Sequence, residues 1–179
     1  RVTLVNPEPR QELTCELFRS LRTGSPESFA FRKLLRSAGI EFAEGSVDEI
    51  DPISKQLKVR GERRLELKYD HLVLAVGTQL MLPPIEGLQE QIEAPGPIDR
   101  RVFSFRSNAD AQNLRLALKR LGWASDARPP SFRDLFVVIL GAGPTGLEVA
   151  GEIAAMRARN PRLRVVLVDR IPDLIPDFS

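Results

Sequence analysis

The 179-residue sequence predicts an α/β protein built as two incomplete layered domains, the first with a small antiparallel sheet. Three observations carry that expectation. VVILGAGPTGLEVAGEIA (residues 137–154) joins an apolar run to a glycine-rich turn and a helix-spaced tail, the pattern of a strand–turn–helix unit. RVTLVNPEP at the N-terminus enters a strand pattern at once, with Val2, Leu4 and Val5 apolar, and NPEP breaks it. HLVLAV (residues 71–76) is a continuous apolar run, as expected of a strand covered on both faces.

Between the first strand and HLVLAV, the segment SPESFAFRKLLRSAG has helix punctuation. Ser25 suits the N-cap, Pro26 the first helical position and Gly39 the C-terminal stop, and Phe31, Leu34 and Leu35 supply an apolar face. Several short strands follow, with turns at Asp51-Pro52 and Arg60-Gly61, and Leu65 and Leu67 alternate with charges as in a half-exposed strand. No helix separates these strands, so they are expected to pair antiparallel. TQLMLPPIEGLQEQIEAPGPIDR is rich in Pro and Gly without a clear period and reads as a domain boundary. SNADAQNLRLALKRLG returns to helical spacing, with Ala111, Leu114, Leu118 and Leu121 on one side and Gly122 as its stop. A loop through Trp123 precedes the glycine turn, the helix is expected over residues 147–159, and RVVLVD forms the next strand. The expected organisation is a first domain over residues 1–85, a linker over 86–106 and a second domain over 107–179.

Composition excludes several chemistries. The net charge is only +2 and the basic residues are spread along the chain, so no nucleic-acid footprint is present. A single cysteine, Cys15, allows no internal disulfide, and a single histidine, His71, leaves no cluster for a metal. No apolar run is long enough to span a membrane and no signal peptide is visible, which gives a cytoplasmic expectation. The absence of an initial Met, with a strand pattern beginning at once, suggests a fragment of a longer protein.

The glycine turn points to a dinucleotide. Gly141 permits the tight turn, Gly143 lets the backbone approach a pyrophosphate, and Gly146 lets the helix pack against the strand. Pro144 and Thr145 open the helix, whose N-terminal N–H groups and partial positive charge suit phosphate. Asp169 closes the following strand, near the ~20 residues expected for an acid that accepts hydrogen bonds from a ribose. A carboxylate there repels a 2′-phosphate and favours NAD over NADP, while Arg170 beside it softens that preference. Glu148 has two readings: an anion placed favourably in the first helical turn, or a carboxylate near the nicotinamide.

Taken in order, RVTLVNPEP, YDHLVLAVGT and VVILGAGPTGLEVAGEIA with RVVLVDRIPDLIP resemble the flavin-dependent pyridine nucleotide oxidoreductases, and within them most closely the type II NADH dehydrogenases. The resemblance implies two Rossmann-like three-layer nucleotide-binding domains, for FAD and for NAD, and transfer of a hydride from NADH to FAD with electrons passed to a quinone. It also implies that the fragment lacks the first glycine motif, the end of the NAD domain and a C-terminal segment used for homo-oligomer and peripheral membrane contacts. The fragment alone is therefore expected to be inactive.

By the same resemblance, Asn6 stands where an acid holds the FAD ribose, although a turn residue before Pro7 is an equal reading. Val47 would lie beside the adenine through its backbone, and Ala75, Val76, Gly77 and Thr78 would pass close to the flavin nucleotide. Thr14 matches a position near the flavin ring, with Cys15 where proline is commoner. Cys15 leaves open a cysteine-based NADH oxidase or peroxidase, against the plainer reading of a small, partly buried thiol. A non-catalytic nucleotide-binding module is the third alternative.

Overall fold

The computed structural model of the chain describes residues 1–93, 101–120, 134–156 and 161–170. In chain order the strands are β1 (Thr3–Asn6), β2 (Arg10–Glu12), β3 (Ser28–Ala30), β4 (Glu41–Glu44), β5 (Ser46–Asp51), β6 (Gln56–Arg60), β7 (Arg64–Lys68), β8 (Leu135–Leu140) and β9 (Leu163–Val168). The helices are α1 (Leu17–Thr23), α2 (Phe31–Ser37), α3 (Leu88–Glu93), α4 (Asn108–Arg120) and α5 (Pro144–Ala155), with a 3₁₀ turn at Thr14–Glu16. The chain divides into two compact units. One holds residues 1–12 and 28–81; the other holds residues 13–27 and 82–179.

In the first unit β1 runs parallel to β4, with Thr3 opposite Glu41 and Asn6 opposite Glu44. α2 covers this pair through Phe31, which stacks on Phe42 at 5.3 Å between ring centroids and meets Phe29 edge-on at 6.0 Å. The strands β5, β6 and β7 form the antiparallel meander that the alternating pattern predicts. Leu57 and Val59 on β6 are its buried residues. The Asp51 carboxylate closes the β5–β6 turn by accepting the Ile53 and Ser54 N–H groups and the Ser54 hydroxyl at 2.6 Å. The Ser54 hydroxyl, more than the two backbone bonds, holds the Asp51 carboxyl below its ordinary range.

Two expectations fail in this unit. The helix placed from Ser25 onward begins only at Phe31, because Ser28–Ala30 instead pairs antiparallel with Arg10–Glu12 as β3. Ser25 and Pro26 therefore cap nothing, while Gly39 does follow the helix end with φ of +68°. The run 71–80 is not a strand. Val73 is 84% exposed, Leu74 65% and Val76 89%. A strand exists only when a neighbour takes its N–H and C=O groups, and no described strand lies alongside this one.

The second unit is built on β8 and β9, paired parallel from Leu135 opposite Leu163 to Leu140 opposite Val168. α5 covers one face of the pair: Val149, Ile153 and Met156 pack with Leu163 and with Val137, Ile139 and Val165. Phe136, Val138 and Leu140 alternate onto the opposite face and are exposed. The same core contains Leu118 of α4 and Leu21 of α1. α1 thus belongs to this unit although β2 and β3, on either side of it in sequence, belong to the other.

α1 ends at Gly24, whose N–H donates to the Ser20 carbonyl in a left-handed cap. α4 opens with a capping box: the Asp110 N–H donates to Ser107 Oγ at 3.1 Å, and the Asp110 carboxylate accepts the Ser107 N–H at 3.2 Å. Between the two helices the buried Ser20 hydroxyl donates to Asn108 Oδ1 at 2.7 Å, and Asn108 exchanges hydrogen bonds with the backbone of Glu27. Ala111, Leu114 and Leu118 face the core as their spacing predicts. Leu121, Gly122, Trp123, the last residues of the helix expected over 147–159, and residues 171–179 lie outside the described residues.

Candidate functional site

The glycine turn sits where β8 ends and α5 begins. Gly141 extends the β8 ladder by donating its N–H to the Val168 carbonyl at 2.8 Å. Its φ of +105° then turns the chain, a conformation that L side chains rarely adopt. Gly146 lies against that same turn: a Cβ built on it would stand 1.9 Å from the Gly141 carbonyl oxygen. Gly143 is the opposite case, because a Cβ there meets nothing within 4 Å. The site thus has one glycine that makes the turn, one that lets the helix touch it, and one that faces open space.

α5 has Gly143 as its N-cap residue, Pro144 at its first position and no side-chain cap. The Leu147 N–H donates back to the Gly143 carbonyl at 3.0 Å, which starts the helical ladder. The N–H groups of Thr145 and Gly146 precede it and have no intrahelical acceptor, as in any first turn. They offer an anion two donors and the positive end of the helix. Asp169, immediately after β9, turns its Oδ2 onto the loop and accepts the Ala142 N–H at 2.5 Å. That bond places a carboxylate beside the glycine turn while Asp169 itself remains exposed.

Glu148 is the fifth residue of α5, so it lies beyond the first turn in which the sequence reading placed it. The interaction with the helix dipole falls off within that turn, which removes most of the purely structural reason for an anion here. Its side chain is exposed, whereas Glu152 one turn on is engaged by Arg22 at 3.4 Å.

The remaining candidates lie elsewhere. Asn6 ends β1 and donates from Nδ2 to the Glu8 carbonyl at 2.9 Å, the geometry of a turn residue. Val47 pairs with Val59 immediately before a register shift in β5, a bulge that re-aims the backbone. Ala75, Val76 and Gly77 lie on the irregular exposed run, where Gly77 has φ of +71°. Thr14 and Cys15 occupy the 3₁₀ turn, both exposed, and belong to the second unit rather than the first.

The structure adds a cleft that the sequence reading missed. It is an open, shallow depression of about 480 Å³ within the first unit, and its lining includes Pro7, Arg32, Glu44, Ser46, Arg60 and Arg63. Arg32 reaches Glu44 at 3.3 Å, and Arg60 reaches Asp48 at 3.0 Å, which raises the Arg60 pKa through that hydrogen bond. The usable signal was positional: Asn6 and Glu44 end two apolar stretches that pair in parallel, and ligands of open α/β sheets bind at such carboxyl ends.

Among the described residues no helix is long and apolar enough to cross a membrane. The chain is 27% identical over 158 residues to the mitochondrial external NADH-ubiquinone oxidoreductase 2 of Saccharomyces cerevisiae, covering 78% of this chain and 27% of that protein. It is 26% identical over 194 residues to a probable mitochondrial NADH-ubiquinone oxidoreductase of Schizosaccharomyces pombe, covering 93% of this chain and 33% of that one. The chain therefore spans about a third or less of the length of these relatives. The NDH2 of Plasmodium falciparum, solved in complex with NADH, superposes with a TM-score of 0.70 at 19% identity over 99% of this chain and 38% of that one, which shows the shared fold. The family model for pyridine nucleotide-disulphide oxidoreductases matches residues 5–179, and with its glycine turn, helix N-terminus and closing aspartate the chain belongs to that family.

Proposed function

We propose that this chain is part of a flavin-dependent NADH dehydrogenase, carrying the NAD-binding turn and part of the FAD-binding domain. The observation that carries the reading is the hydrogen bond from the Ala142 N–H to Asp169, which brings the carboxylate at the end of β9 beside the glycine turn, where Gly143 faces open space. The relatives named above as NADH-ubiquinone oxidoreductases support a quinone as the electron acceptor of the whole protein. Flavin, when bound, would supply the hydride acceptor and pass electrons onward. The chain's own residues do the rest. Thr145 and Gly146 hold the pyrophosphate by their N–H groups, Asp169 accepts from the adenosine ribose, and Glu148 orients the nicotinamide end. Val47 and the Ala75–Gly77 run serve the FAD nucleotide in the same reading, with Thr14 toward its ring, while Asn6 shapes the turn after β1.

Two variants of the full-length protein test this. Glu148→Gln is expected to lower kcat for NADH-dependent quinone reduction by about tenfold or more, with KM for NADH changed far less. Unchanged turnover would remove Glu148 from the mechanism. Asp169→Asn keeps an acceptor for the Ala142 N–H but loses the charge. NADH affinity is expected to fall about tenfold while the NADH/NADPH preference moves toward NADPH. A constant preference in paired titrations would show that Asp169 does not read the ribose.

A further inference from the structure

The first unit's cleft raises a separate question about Asn6. By the resemblance Asn6 stands where an acid is expected, and it carries no charge. Across the β1–β4 register Asn6 stands opposite Glu44, so their side chains leave the same face at the carboxyl ends of two parallel strands, about 5 Å apart at Cα. Glu44 lines the cleft and Asn6 is followed into it by Pro7.

The backbone of Glu44 is fixed from both sides. A Cβ on Gly61 would stand 2.3 Å from the Glu44 carbonyl oxygen, and one on Gly45 would meet Val59 Cγ1 at 2.6 Å and the Arg60 carbonyl at 2.8 Å. Both glycines therefore allow β4 to press against the meander. Arg32 steers the side chain through Glu44 Oε2 and lies 5.9 Å from the Phe42 ring centroid. That pair uses one of roughly four lone-pair positions of a carboxylate, so Glu44 can still accept from two hydroxyls.

We infer that Glu44, rather than Asn6, provides the carboxylate that binds the cis-diol of the FAD adenosine ribose: the acid has moved one strand over, from the end of β1 to the end of β4. This rests on the flavin reading proposed above. Asn6 is left to shape the turn through Glu8.

The test uses the full-length protein stripped of flavin, with FAD and FMN binding followed by flavin fluorescence and folding checked by thermal melting. Glu44→Gln is expected to weaken FAD about tenfold or more and to leave FMN, which has no adenosine, unchanged. Adding Asn6→Asp to Glu44→Gln should restore FAD binding, because an acid then returns to the neighbouring strand end. Asn6→Ala alone should change FAD affinity by no more than about threefold. Should Glu44→Gln fail to fold, the Asn6→Ala result decides alone: a tenfold loss there overturns the inference. Equal losses of FAD and FMN in Glu44→Gln, or FAD binding unchanged, also overturn it. Wild-type protein that binds no FAD would instead remove the flavin reading and this inference together.

Discussion

Gly146→Ala is expected to abolish NADH binding, with a loss of about 100-fold or more, and to destabilise the second unit by about 3 kcal/mol. The added methyl, fixed by its bond to Cα, would stand 1.9 Å from the backbone carbonyl oxygen of Gly141. Neither can rotate away, so relief requires α5 to withdraw from β8. That movement would drag Val149 and Ile153 out of the core and pull the first-turn N–H groups off the phosphate position. Gly143→Ala is the control. Its Cβ meets nothing in the free protein, so melting should be unchanged while NADH affinity falls, because the methyl fills the space a pyrophosphate needs. NADH titration and thermal melting of both variants in the full-length protein check the pair. Equal melting temperatures for Gly146→Ala and the wild type would refute the packing argument.

Leu21→Ala is the second large effect, expected to cost about 3 kcal/mol. Leu21 is fully buried, and its core neighbours Leu118, Val149, Ile153 and Leu163 come from α4, α5 and β9. The empty volume cannot be refilled easily, because α1 is held in place by Ser20–Asn108 and by Arg115 donating to the Leu21 carbonyl at 2.7 Å. Leu34→Ala, on a residue 54% exposed, should stay within about 0.5 kcal/mol. Amide exchange resolves where the damage falls: β9 should lose protection in Leu21→Ala and the β5–β7 meander should not. Equal loss in both would mean that α1 does not belong with the second unit.

The glycine turn was legible because its chemistry is local. Strand, turn, helix and closing acid each leave a mark within a short window: Gly141 turns the chain, Gly146 lets the helix approach it, and Asp169 lies beside the turn. The meander was legible for a similar reason, since adjacent strands joined by Asp51-Pro52 and Arg60-Gly61 need no distant partner. What stayed hidden depends on partners far along the chain. Ser25-Pro26 reads as a helix start, but Ser28–Ala30 had β2 available to pair with. HLVLAV has every apolar mark of a strand, and a pattern cannot say whether a neighbour is there to bond it. The place of α1 was invisible, because Leu21 and Leu118 lie in segments with no shared period. Asn6 and Glu44 were missed as a pair for the same reason: only the parallel register sets them side by side.

The position of α1 also has a consequence in time. Its carbonyls at Leu21 and Arg22 are bonded by Arg115, 94 and 93 residues further along. During synthesis at about 5–20 residues per second, α1 emerges some 5 to 20 seconds before its partners exist. In that interval β4 and the meander are made and can close, since all their partners are local or already present. Leu21 meanwhile waits for Leu118, Val149 and Ile153, the residues it is buried with in the folded chain. The strand pairings of the first unit can therefore form on the ribosome while α1 waits for α4 and α5, and that waiting helix is a segment a nascent-chain chaperone would meet.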